Sequence, residues 1–201
     1  MKKAEILISI FSFIAFMCYI LLIDGGEIFT TLFLLCFSLF YLVCGFALFN
    51  GIQISNIFKK QSFDGFNSLR IICSILIGFA LSIAVLGVMY GLLTFAGVKV
   101  MLWKGLSALA IALLFISIEF IINKSDLYKS VLPRIFIWSV LCLLLFEMPQ
   151  AKILEFKYRK FPNYVQAIKN SLSDPTNKQL REKMEEERIK IFTKIDQEGD
   201  H

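Results

Sequence analysis

Two carboxylates stand where ionisable groups are costly. Glu119 and Glu147 each lie about one helical turn from the end of a long apolar run. Burying a charged carboxylate away from water is expensive, so an intramembrane Glu is a candidate ion or proton site by default. Both are also near enough to a run end to reach headgroup water, which is the simpler reading. Lys104 and Arg134 sit near run ends too, where a long cationic side chain snorkels to the interface. Other reactive residue types are scarce. The single His is His201, which leaves no imidazole for catalysis or an ordinary zinc site. Cys18, Cys36, Cys44, Cys73 and Cys142 lie inside apolar runs without a C-x-x-C pair, as reduced thiols acting as small buried hydrophobes do. There is no nucleophile elbow, Walker A, HExxH, Rossmann glycine pattern or pair of catalytic carboxylates. The sequence therefore points away from an enzyme and calls for no cofactor and no metal.

The rest of the chain is organised to cross a membrane. Of its 201 residues 57% are hydrophobic, 21 are Phe, and mean hydropathy is +0.71. Soluble domains sit near about 45–50% apolar with no such long runs. Charges are segregated: residues 1–149 carry 10 Lys/Arg and 7 Asp/Glu, whereas residues 150–201 carry 11 and 9. The net charge of +5 is spread over loops and tail. That distribution excludes a nucleic-acid partner, which would need one concentrated basic face. The expected division is a transmembrane domain, 1–149, and a polar helical tail, 150–201.

A bilayer core about 30 Å thick is crossed by about 20 apolar helical residues. Five runs meet that length, over about 5–23, 28–49, 69–93, 98–122 and 131–148. The first follows Met1-Lys2-Lys3 but lacks an A-x-A-like cleavage site, so it reads as a retained span. Pro133 is expected in the first turn of span 5, where a missing N–H does little harm. The fold class is thus all-α integral membrane. Leu21-Leu22-(x)3-Gly26 before span 2 parallels Leu92-Leu93-(x)3-Gly97 before span 4, an offset of 71 residues that suggests a repeated hairpin.

Small residues mark the expected packing faces. Span 3 carries Ser74, Gly78 and Ser82 four residues apart, with Ala80, Ala84, Gly87 and Gly91. Gly97 and Gly105 follow, and Ala108 and Ala112 continue along span 4. Such residues let backbones approach closely in lipid. The expected use is span 3 against span 4, with a dimerisation or partner face as the functional counterpart.

Lys/Arg in short loops set orientation. With the N-terminus inside, the cytoplasmic side gathers Lys2, Lys3, Lys59, Lys60, Arg70, Lys124, Lys129 and Arg134. Five spans then place the tail outside, although Lys152, Lys157, Arg159 and Lys160 at its start prefer the inside. Ile153, Leu154, Phe156, Tyr158 and Phe161 interleave with those bases, the pattern of a segment at headgroup level. Tyr164, Ile168 and Leu172 share one helical face behind Pro162. Asp174-Pro175 is expected to cap a second helix whose stripe is Leu180, Met184, Ile191 and Ile195. A stripe that narrow wants a partner: the membrane domain, a second copy or another protein.

Leu86-Gly87, then Phe95-Ala96-Gly97, then Met101-Leu102-Trp103-Lys104-Gly105-Leu106 resemble the membrane hairpin of the gliding-motility and type IX secretion motor subunit family of Bacteroidetes. Gly87, Gly97, Met101, Leu102, Gly105 and Leu106 match in type and spacing, and Glu119 aligns with a later Glu. Phe95-Ala96 replaces that family's Trp-Pro, Leu109 stands where its intrahelical Glu would fall, and there are five spans rather than two. The tail also looks like those of uncharacterised multi-span Bacteroidetes membrane proteins. The resemblance implies a bacterial inner-membrane setting and assembly with a machine, without carrying over ion conduction. The resulting expectation is a non-enzymatic inner-membrane subunit, in contact with lipids and other membrane proteins or itself, with a periplasmic tail that docks a partner. The alternative is an ion-coupled transporter or motor component using Glu119.

Overall fold

The computed structural model describes the backbone of residues 1–53, 56, 66–95, 97–124, 126–174 and 176–198. Among the described residues there are eight helices: α1 Lys2–Ile20, α2 Gly26–Phe49, α3 Ser68–Leu93, α4 Val98–Asn123, α5 Leu127–Glu147, α6 Gln150–Lys157, α7 Pro162–Ser173 and α8 Lys178–Glu198. The first five are long and apolar enough to cross a membrane, and the protein is a multi-span helical bundle. Two compact units divide the chain, Met1–Glu147 and Met148–His201. Lys59 and Lys60, two of the bases used to set orientation, lie outside the described residues.

α3 is the central helix of the first unit, packing against α2, α4 and α5. About three-fifths of its apolar window is buried (61%), against 28% for α4 and 22% for α5. This burial follows from two faces of small residues. Ser74, Gly78 and Ser82 face α2 rather than span 4, which corrects the expected pairing. A Cβ on Gly78 would lie 2.7 Å from the Tyr41 carbonyl oxygen, and one on Gly45 would lie 2.8 Å from Gly78 Cα. Ser38 and Ser82 hydroxyls meet at 2.7 Å, and Asn50 Nδ2 donates to Ser74 Oγ at 3.0 Å. The other face carries Ala84, Gly87 and Gly91. Gly87 abuts the Met101 carbonyl, Gly105 abuts Ala84 Cα, and Gly91 receives Leu145 of α5. Lipid tails are as apolar as Leu, so helices associate through such close contacts and interhelical hydrogen bonds.

α4 presents a single row to this core: Val98, Leu102, Gly105, Leu109, Ala112, Ile116 and Glu119, alternating four and three residues apart. Trp103, Leu114 and Ile121 on its other sides are exposed, as befits a lipid-facing surface. Ala108 is only half-buried, and Gly97 is an exposed turn residue rather than a packing one. Cys73 and Cys142 are buried, but Cys36 is exposed on α2, so burial is not common to all five thiols.

The two hairpin turns share one geometry at a register one residue from that read in the sequence. Leu22 and Thr94 adopt left-handed conformations (φ 54° and 58°), and so do Gly25 and Gly97 three residues later (φ 79° and 83°). Ile23 N–H bonds to Cys18 O (3.0 Å) and Phe95 N–H to Tyr90 O (3.2 Å), the six-to-one closure of a Schellman turn. The equivalent glycines are therefore Gly25 and Gly97, an offset of 72. Gly26 instead permits close packing, because its Cβ would lie 2.8 Å from the Cys18 backbone.

In the second unit, Tyr164, Ile168 and Ile191 form a small core with Leu154, Tyr158, Phe161 and Met184 around it. The stripe of α8 thus finds its partner in α7 of the same tail. Leu172 remains exposed and Leu180 half-buried, while the Ile195 side chain lies outside the described set. Burial raises the Tyr164 phenol above its ordinary range. The cap of α8 is Asn177, whose Oδ1 accepts from Gln179 N at 3.1 Å. Asp174 closes the preceding turn instead, accepting from the Thr176 hydroxyl at 2.8 Å, which holds its carboxyl below the usual range.

The α2–α3 contact leaves no room for a larger side chain. Gly78→Val should destabilise the bundle by about 1–3 kcal/mol through overpacking, whereas Ile75→Val on the lipid side should change it by less than about 0.5 kcal/mol. Unfolding of both variants in mixed micelles by SDS titration checks this; equal midpoints would refute the tight contact.

Candidate functional site

The buried ionisable side chains of the bundle, Glu5, Glu119 and Arg134, lie toward the end that holds the N-terminus, the C-termini of α2 and α4 and the N-termini of α3 and α5. Arg134 stands about 10 Å along α5 from its start, and Tyr41 about 12 Å before the end of α2. α5 begins at Leu127, a turn earlier than expected. Pro133 therefore occupies the second turn, where it removes one helix donor, and Arg134 follows it inside the bundle.

Arg134 does not snorkel. Its guanidinium makes a forked ion pair with Glu5 of α1, Nε donating to Oε1 at 2.6 Å and Nη2 donating to Oε2. The two side chains are only 16% and 11% exposed. Tyr41 hydroxyl donates to Glu5 Oε1 at 2.9 Å, and Arg134 Nη1 donates to the Ser130 carbonyl. Around them, Trp138 meets Tyr41 edge-on at 6.5 Å and Phe37 at 5.5 Å, while the guanidinium lies 5.9 Å from the Phe49 ring centre. Three donors on two carboxylate oxygens satisfy a charge that would otherwise be prohibitive to bury. The arrangement ties the first span to the fifth through the second. Its chemistry is retention: the carboxylate is engaged by fixed donors, as a structural latch requires.

Glu119 is the second buried acid. It is fully buried (0% exposed), so the interfacial reading of this residue is corrected. It extends the apolar row of α4 towards Cys73 of α3, whose thiol contacts the Phe115 carbonyl at 3.7 Å. One turn further, Asn123 Oδ1 accepts from Asn67 Nδ2 at 3.0 Å, and nearby Arg70 Nε donates to Asn50 Oδ1 at 2.7 Å. Glu147 is exposed at the opposite end of the bundle, so the two candidate acids do not come together. Lys104 is exposed. No group of three or more metal-ligating side chains occurs among the described residues.

Glu5 was not singled out from sequence because it falls at the start of an apolar run, where a carboxylate looks solvated. The available signal was an acid and a base that both fall inside the span helices, Glu5 near the start of α1 and Arg134 two turns into α5, at the same membrane side under one topology. Comparison with protein-family models, curated proteins and solved structures finds no match.

Removing one partner of the latch leaves the other buried without its counter-charge. Arg134→Met should destabilise the bundle by about 3–5 kcal/mol, and adding Glu5→Leu should restore most of that loss. A double-mutant cycle followed by SDS unfolding measures the coupling; additive losses would rule out a direct latch.

Proposed function

We propose that this chain is a non-enzymatic subunit of a multi-protein bacterial inner-membrane complex. The five-span bundle is the anchor and the helical tail docks a partner. The observation that carries this reading is the tail's self-sufficiency. α7 and α8 close their own core through Tyr164, Ile168, Met184 and Ile191, so the unit does not need the partner to fold. Docking then falls to its outer surface, where Leu172 and Ile189 are 46% and 58% exposed, rather than to the stripe itself. The bundle supports the same reading, since its buried Glu5–Arg134 pair joins the first span to the fifth. The resemblance of residues 85–119 to a motor-subunit hairpin adds a machine of the cell envelope as the class of partner. The Lys/Arg balance of the short loops supports an internal N-terminus and a periplasmic tail.

Gentle extraction of the tagged chain from its native membrane should yield a stoichiometric partner that is lost when residues 162–201 are deleted. A complex unchanged by that deletion would end the docking role.

A second reading, ion coupling through Glu119, is favoured by the complete burial of this carboxylate in the packed row of α4. Proteoliposomes under an imposed potential should then take up protons or cations, and Glu119→Gln should abolish uptake with insertion and abundance intact. Wild-type vesicles as tight as empty ones would eliminate it.

A further inference from the structure

We infer that the exposed face of α6 and the turn after it bind anionic phospholipid headgroups at the bilayer surface. The tail's positive charge is concentrated there. Residues 150–161 contain Lys152, Lys157, Arg159 and Lys160 against the single acid Glu155, whereas residues 162–201 contain seven basic and eight acidic side chains. Glu155 is itself engaged by Lys169 at 2.5 Å. The segment also has the two-sided build of an interfacial helix. Ile153 turns inward and is 9% exposed, while Lys152, Phe156, Arg159 and Lys160 are exposed. Phe156 is 38% exposed among these cations, with the Arg159 guanidinium 5.1 Å from its ring centre. An aromatic ring framed by cations places apolar surface at the acyl boundary and charge at the phosphates.

Covalent continuity supplies the location. α5 ends at Glu147 and α6 begins at Gln150. Lys152 is five residues from the span, so even an extended chain keeps it within about 17 Å of the end of α5. The eight residues of α6 add about 12 Å of helix, and electrostatic attraction to a charged leaflet persists over roughly a Debye length. Juxtamembrane bases at this spacing are the pattern that anionic leaflets attract, and each base contributes roughly a fivefold gain in association. The same bases that oppose a periplasmic tail on loop-charge grounds thus acquire a ligand of their own, the headgroup layer beside the last span.

The test is deuterium exchange of the full chain in nanodiscs of phosphatidylcholine alone and of the same lipid with about one-third phosphatidylglycerol. Backbone amides of residues 150–161 should exchange about tenfold more slowly in the anionic discs, and roughly 0.5 M salt should remove the difference. The variant Lys152→Gln, Lys157→Gln, Arg159→Gln, Lys160→Gln should lose it as well, with amides of α7 and α8 unchanged to report an intact tail core. Should that variant loosen α7, the salt titration of the wild-type chain decides alone. Equal exchange in both lipids, or protection that survives salt, would overturn the proposal and assign the segment to contacts within the protein.

Discussion

Close approach of backbones at α3 is the constraint on which the bundle depends. Inside a bilayer, helices gain little from hiding apolar side chains from lipid, so association needs contacts that lipid cannot replace. α3 provides them on two sides. Gly78 admits the backbone of α2, while Gly87, together with Gly105 of α4, admits the opposite neighbour. Polar groups follow where the backbones meet: the Ser38–Ser82 pair lies beside the Gly45–Gly78 contact, and the Cys142 thiol contacts the Ala84 carbonyl at 3.6 Å. α4 and α5 can then remain largely lipid-facing, each contributing a single buried row.

Charge is admitted to this core under the same rule. Glu5 and Arg134 come from the first and the fifth span, 129 positions apart, and meet within a cage made by α2 and α5. Tyr41 serves twice, its carbonyl bounding the Gly78 contact and its hydroxyl completing the Glu5 environment. The helix contact and the ion pair are consequently mechanically linked: shifting α2 on α3 would move a ligand of the carboxylate. A protein whose buried acid and base are matched in this way is organised for a fixed arrangement of spans, which suits an anchor. Glu119 lies in a separate setting, on the α4 row beside Cys73.

The tail applies a different physics. In water, α7 and α8 gain stability by burying Tyr164, Ile168 and Ile191. The amphipathic stripe that seemed to demand an outside partner is therefore satisfied locally. Its remaining surface divides into a basic, aromatic beginning and a charge-balanced helical pair.

Much of the architecture was legible because it follows from local composition. Apolar runs of span length, Gly-containing breaks and the polar tail determine five crossings and an all-α fold, since a bilayer demands internal satisfaction of backbone hydrogen bonds. Single residues were less legible wherever a partner distant in sequence determines their state. Arg134 has the same local signature whether it snorkels or pairs, and Glu5 looks like a solvated helix start until Arg134 and Tyr41 surround it. The row of Ser74, Gly78 and Ser82 announces a close contact, but the helix it meets depends on how α3 is rotated within the bundle. Likewise the repeat was visible as a pair of Gly-containing turns, while its register of 72 required the left-handed conformations of Leu22, Gly25, Thr94 and Gly97. Sequence alone determined how many helices cross, where they break and that their faces can touch. Tertiary structure alone decided which faces touch and which charges are paired, because rotation and long-range pairing leave no periodic trace in the chain.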